Sequence, residues 1–321
     1  MFSTVINYRE EDSLLLFAIH EKSLISDIIC SMLADKPKVI NAGGRLIDLS
    51  VPKVMGIINV TPDSFYQGSR VTEDRDILSA AVRMISEGAD MLDIGGYSSR
   101  PFAGDISVAE ERKRVINAIV LIRKELPDAI LSVDTFRAEI AYEAVTEHGV
   151  HIINDISGGC ADKNMFEVVW KLNVPYIMMH MKGNPQTMQN NPEYDDVVAD
   201  ILKWAGTRIA ELHNAGVKDI ILDPGFGFGK TIKHNFDMLN RLEDFAVAGL
   251  PVLVGISRKS MIWKTLSITP DEALNGTSVL HAVALMKGAD ILRVHDVREA
   301  VQAVKLIEKI KDKRSKANNK H

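Results

Sequence analysis

A single (β/α)8 barrel, plugged by an N-terminal hairpin and preceded by a short extension, is the fold this sequence predicts. Three observations predict it. Short apolar runs recur eight times, each followed by a stretch with helical spacing, and runs buried on both faces belong to parallel sheets. Four helix-to-strand joints repeat one pattern, EGAD, EHGV, NAGV and KGAD, in which a Gly supplies the left-handed turn that stops the helix. No composition break divides the repeats, which favours one barrel over a doubly wound open sheet.

Residues 1–37 alternate apolar clusters with charges and carry no evident chemistry. They read as an extension or a lid over the barrel bottom, with a partner contact as the functional alternative. Lys38–Leu49 reads as a hairpin, two apolar arms around Gly43-Gly44, that plugs the barrel end. The barrel is expected over 38–312, with strand cores beginning near Val54, Asp90, Ile130, His151, Val174, Asp219, Pro251 and Asp290. The helical stretches that follow are Arg75–Glu87, Val108–Leu126, Arg137–His148, Lys163–Lys171, Tyr194–Ala215, Ile232–Leu242, Pro270–Met286 and Val297–Ile310. The basic end is expected to finish as a disordered tail over 313–321.

With 46% apolar and 25% charged residues over 321 positions, the balance is that of a soluble globular protein. A net charge of −5 argues against general nucleic-acid binding, though not against a small anion held by local cations. Cys30 and Cys160 form no metal spacing, so a reduced cytoplasmic setting is expected. The longest early apolar run, Leu14–Ile19, follows three acids and suits neither a secretory signal nor a membrane span.

In such barrels ligands bind at the C-terminal ends of the strands. Polar residues interrupt the apolar runs there: Asn59, then YSSRP after strand two, Asp134, Asn154-Asp155, Met179-His180, Asp223, SRKS and finally Arg293 with His295. Arg293 and His295 are two apart and share a face, so both can reach a phosphate as cationic donors. Asn59 and Arg100 could converge on the same anion, and an Asn carbonyl is a fair ligand for Mg²⁺ shared with substrate phosphates. Asp134, Asn154, Asp223 and Lys259 make a donor and acceptor set suited to a flat heterocycle, with Met179 and Phe228 as apolar walls. Pairing of Lys259 with one Asp is the purely structural alternative. DPGFGFGK lacks the Gly that a phosphate-binding loop needs, because Pro224 stands there, and it lacks the dinucleotide-loop order. His180 has no second ligand at metal spacing and reads as a core or supporting residue.

The stretches MGIINVTPDSF, GADMLDIGGYSSRP, LSVDTFR, INDISGG, MMHMKGNPQTMQ, DPGFGFGKT, GISRKSMI and GADILRVHDV together resemble the dihydropteroate synthase family. The resemblance covers about Lys38–Glu308. It implies condensation of 6-hydroxymethyl-7,8-dihydropterin pyrophosphate with p-aminobenzoate to give 7,8-dihydropteroate and pyrophosphate. It also implies that Asp134, Asn154, Met179, Asp223, Phe228 and Lys259 hold the pterin. Asn59, Ser99, Arg293 and His295 would take the pyrophosphate, with Mg²⁺ at Asn59. Phe65, Arg100, Pro101 and Ser260 would form the p-aminobenzoate pocket. Asp134, Lys259, Arg293 and His295 are the residues expected to carry catalysis, by a dissociative substitution, in a homodimer and as a sulfonamide target. Two departures stand out: Gln67 replaces an acid of the first loop, and Tyr97 a Glu of the second. A methyltetrahydrofolate-dependent methyltransferase and a non-catalytic pterin-binding barrel are the competing readings.

Overall fold

The computed structural model describes residues 39–60, 70–98, 105–183, 188 and 192–318. The expectations for the extension and for Phe65, Gln67, Ser99, Arg100 and Pro101 lie outside the described residues. The hairpin forms from β1 (Val39–Ala42) and β2 (Arg45–Asp48), antiparallel and paired from Val39↔Asp48 to Ala42↔Arg45. Gly43 and Gly44 turn it with positive φ.

Eight parallel strands follow: β3 (Lys53–Asn59), β4 (Met91–Gly95), β5 (Leu131–Asp134), β6 (Ile152–Asp155), β7 (Tyr176–Met179), β8 (Ile220–Asp223), β9 (Leu253–Val254) and β10 (Ile291–Val294). Their order is β8-β7-β6-β5-β4-β3-β10-β9, and a bridge between Leu222 and Val252 brings the two ends together. The helices between them are α1 (Arg70–Ser86), α2 (Val108–Glu125), α3 (Ala138–Thr146), α4 (Met165–Leu172), α5 (Val197–Asn214), α6 (Ile232–Asn240), α7 (Ser260–Leu266), α8 (Leu274–Met286) and α9 (Val297–Asn318).

The repeated joints work as their residues demand. Gly88, Gly149, Gly216 and Gly288 all have positive φ. In the two GAD copies the Asp does more than end the turn: Asp90 Oδ2 accepts from Val54 N at 2.8 Å and Asp290 Oδ2 from Val252 N at 2.7 Å. Each carboxylate thus pins an amide at the entry of a neighbouring strand, at the barrel bottom.

Two expectations need correction. Strand seven shrinks to Leu253–Val254, because the backbone turns at Ile256–Lys259, where Lys259 N donates to Ile256 O. The last helix runs to Asn318, into the stretch expected to be a disordered tail, since KDKRSKAN contains no Gly or Pro to stop it.

Candidate active site

Residues two apart on a strand face the same way, so each barrel strand sends a pair of side chains inward. The lower members are Met55, Met91, Ile152, Ile177, Ile221, Leu253 and Ile291, which pack with Ile40, Ala42, Ile47 and Leu49 of the hairpin in one apolar cluster. One step up the same strands, the series changes character: Ile57, Asp93, Asn154, Met179, Asp223, Gly255 and Arg293, with Asp134 on β5. The floor is hydrocarbon and the layer above it is charged, which is costly unless the charges are paired.

They are paired. Arg293 Nε donates to Asp93 Oδ2 at 2.7 Å and Arg293 Nη2 to Asp134 Oδ2 at 2.6 Å. Asn154 Nδ2 donates to the same Asp93 oxygen at 2.8 Å. Burial, reinforced by the charge of Asp93, raises the Asp134 pKa to about 7 against the pull of Arg293. Burial also raises Asp223, while Lys259 and Arg293 work the other way. Lys259, a short turn away at the start of α7, is lowered to about 8 by burial, against the attraction of Asp223. Its ammonium lies 4.5 Å from the centre of the Phe228 ring and donates to Phe226 O. Gly95 and Gly255 put no side chain into this layer; a Cβ at Gly95 would lie 3.3 Å from Asp134 Oδ2.

The loop after β8 is built to hold Phe228 and Asp223 in place. Asp223 Oδ1 accepts from Gly225 N at 2.7 Å, and Asn235 Oδ1 accepts from Gly227 N at 2.7 Å. Lys230 is buried and donates to His180 Nδ1, His180 O and Phe228 O at 3.0, 3.2 and 3.0 Å. Burial and the Lys230 charge keep the His180 imidazole neutral, as the acceptor role of Nδ1 requires. His180 is therefore a supporting residue.

The structure brings Asn59, Asp134, Asn154, Met179, Asp223, Phe228, Lys259, Ser260, Arg293 and His295 to strand ends and loops on the same C-terminal side of the barrel. Three expectations change. Asp134 and Arg293, assigned to different parts of a substrate, are ion-paired to each other. His295, expected as a second cation, has its pKa lowered to about 4 by loss of hydration and by the charge of Arg293. Its backbone N donates to Ser257 Oγ at 3.2 Å and its Nδ1 lies 3.1 Å from that oxygen, so Nε2 is the ring nitrogen not engaged there. Lys259 makes a carbonyl bond, with Asp223 acting on it only at longer range. Asp155, by contrast, points outward and accepts from Tyr176 Oη at 2.8 Å. Tyr97 packs edge-on against Phe136, ring centres 5.0 Å apart, where the usual Glu would have offered charge.

Asp93 was missed from sequence. It sits mid-strand in MLDIGG, and only the two-residue step from Met91 would have marked it as inward. Among the described residues, the one cluster of three metal-ligating groups is Glu143, Glu147 and His148 near the end of α3, and Glu143 is already bound by Arg112.

The chain matches the family described as pterin binding enzyme over residues 55–295. It is 44% identical over 269 residues to a dihydropteroate synthase of Escherichia coli strain K12, covering 83% of this chain and 94% of that one. Among solved structures it resembles a Xanthomonas albilineans dihydropteroate synthase with 4-aminobenzoic acid, at 37% identity and TM-score 0.80, covering 86% of this chain and 99% of that one. A Yersinia pestis dihydropteroate synthase in a sulfonamide drug complex is 40% identical with TM-score 0.80, covering 85% and 99%.

Proposed function

Because the chain belongs to the dihydropteroate synthases of the pterin binding enzyme family, we propose a division of labour among its own residues for that condensation. The reaction joins 6-hydroxymethyl-7,8-dihydropterin pyrophosphate to p-aminobenzoate and releases pyrophosphate. The observation that carries the residue assignment is the layer of Asp93, Asp134, Asn154, Asp223, Lys259 and Arg293 over an apolar floor.

Asp223 and Asn154 meet the polar edge of the pterin, a carboxylate being able to accept two parallel N–H bonds. Met179 and Phe228 flank its faces, and Lys259 donates beside them. Arg293 commits Nε and Nη2 to the two carboxylates and has its remaining N–H groups for the pyrophosphate. His295 adds its imidazole Nε2 there, and Ser99 a hydroxyl. These donors stabilise negative charge as it develops on the departing oxygen. Asp134 faces the electron-poor methylene carbon, so the C–O bond breaks before the amine attacks. The neutral aniline nitrogen then forms the C–N bond and gives up its proton to the released pyrophosphate or to water, with no strong base needed. Phe65, Arg100, Pro101 and Ser260 hold p-aminobenzoate, on the strength of the sequence motifs.

Asn59 is half-buried at the end of β3 and offers one neutral carbonyl oxygen. A single oxygen donor suits Mg²⁺ arriving with a phosphate-bearing substrate better than a resident ion. When bound, the ion would neutralise charge on the leaving pyrophosphate. A homodimer is part of the same reading, supported by the exposed apolar Val279 and Met286 of α8 and Leu306 and Ile310 of α9. So is a cytoplasmic setting: no helix among the described residues is long and apolar enough to cross a membrane, and Cys160 is a free thiol.

One coupled assay tests the assignment: dihydropteroate formation with both substrates and Mg²⁺, repeated with Asp223→Ala and Arg293→Ala. The first change is expected mainly to raise KM for the pterin substrate and the second mainly to lower kcat. Equal effects of both on both constants would refute the division of labour.

A further inference from the structure

Ser257-Arg258-Lys259 sends three consecutive side chains to three different places. Ser257 holds His295 through its Oγ, and Lys259 reaches Phe226 O and the Phe228 ring. Arg258 reaches instead to Asp296 and the 270–271 turn, and its backbone has φ +53°. It stands third in the Ile256–Lys259 turn, closed by Lys259 N donating to Ile256 O at 3.1 Å. A left-handed residue at that place is normally Gly or Asn, so a side chain there persists only when its surroundings over-determine it.

The surroundings do so. Arg258 Nε and Nη2 donate to the two carboxylate oxygens of Asp296, both at 2.9 Å. Nη1 donates to Pro270 O at 3.0 Å and Asp271 O at 2.7 Å, and the backbone N donates to Thr277 Oγ1 at 3.1 Å. Asp296 follows His295 directly, while Pro270 and Asp271 lead into α8. One guanidinium thus ties the β9 loop to the β10 loop and to the start of the next helix. A planar fork with five fixed donors can do this and an ammonium cannot.

Resting on the function proposed above, we propose that Arg258 is a positioning residue: its grip on Asp296 and the 270–271 turn aims Lys259 at the pterin and, through Ser257, His295 at the pyrophosphate. It touches neither substrate. Its loss would be felt more at the pterin pyrophosphate half of the reaction than at p-aminobenzoate.

The test uses the full chain with Arg258→Lys, which keeps the charge, and Asp296→Asn, which attacks the clamp from its other side and is the milder change. Steady-state constants are measured for each substrate, with thermal unfolding alongside. In both variants KM for pterin pyrophosphate is expected to rise about tenfold or kcat to fall by as much, with KM for p-aminobenzoate within about twofold. The double variant is expected to be no worse than the poorer single one, because both break one clamp. Pterin constants within about twofold of wild type in either variant would overturn the inference, as would parallel rises in both KM values that track a fall in Tm. A wild-type chain without synthase activity would bring down the underlying reading as well, whereas an active wild type with unaltered variants brings down this inference alone.

Discussion

Replacing Asp93 with Asn probes the charged layer at its least accessible point. The carboxylate is fully buried; its Oδ2 accepts from Arg293 Nε and Asn154 Nδ2, and its Oδ1 has no hydrogen-bond partner. A carboxamide keeps the volume and one accepting oxygen but loses the charge. Arg293 keeps its own charge, so losing the charge on the acceptor alone weakens this contact by about 1 kcal/mol. The new NH₂ falls where Oδ1 had no partner, and an unsatisfied buried donor costs about 1–3 kcal/mol. Together these give a destabilisation of about 2–4 kcal/mol, read by urea unfolding.

The pH dependence gives the sharper reading. The Asp134 pKa of about 7 lies above its unfolded value, so between roughly pH 4 and pH 7 the folded chain holds a proton that the unfolded chain has released. That contribution to stability is present at low pH and is lost as pH rises to 7. Without the charge of Asp93 the Asp134 pKa falls and less is lost. The deficit of Asp93→Asn is therefore largest near pH 5 and narrows toward pH 8. A deficit below about 0.5 kcal/mol, or one that does not change with pH, would show that these carboxylates do not share Arg293 as described.

Gly225→Ala would place a Cβ 1.9 Å from His180 O at a residue with φ +74°, so loss of soluble protein or a fall of about 4 kcal/mol in urea unfolding is expected. Tyr176→Phe removes one donor from the outward-facing Asp155; unfolding should show a loss of about 1–2 kcal/mol, with both KM values unchanged. Lys259, lowered to about 8, loses its charge above that pH, so kcat/KM for pterin pyrophosphate is expected to decline on the alkaline side. In Lys259→Met that limb disappears from the pH–rate profile.

The period of the strands was legible because it is set by two elementary facts, burial on both faces and Gly-stopped helices, and both are written in local residue types. The strand-end residues were legible for the same reason: Asp134, Asn154, Asp223 and Arg293 each break an apolar run. What the chain does not spell out is which inward residues meet across the barrel. Arg293 and Asp134 are 159 positions apart, and their pairing follows from barrel closure, a non-local property. Asp93 hid inside an apolar run. Lys230 went unassigned once its loop was seen not to bind phosphate, because its three acceptors belong to Phe228, in its own loop, and His180, on a neighbouring one. The turn at Arg258 carries no Gly, so nothing local announced a left-handed residue.

The hairpin closes the foot of the barrel, packing Ile40, Ala42, Ile47 and Leu49 against the lower inward side chains. In a shaft stoppered at its foot, whatever settles lowest has to arrive ahead of its neighbour. Sequence drift in Ile40, Ile47 or Leu49, remote from any reacting atom, would let water seep up from underneath and soften the electrostatics that Asp93 and Arg293 depend on.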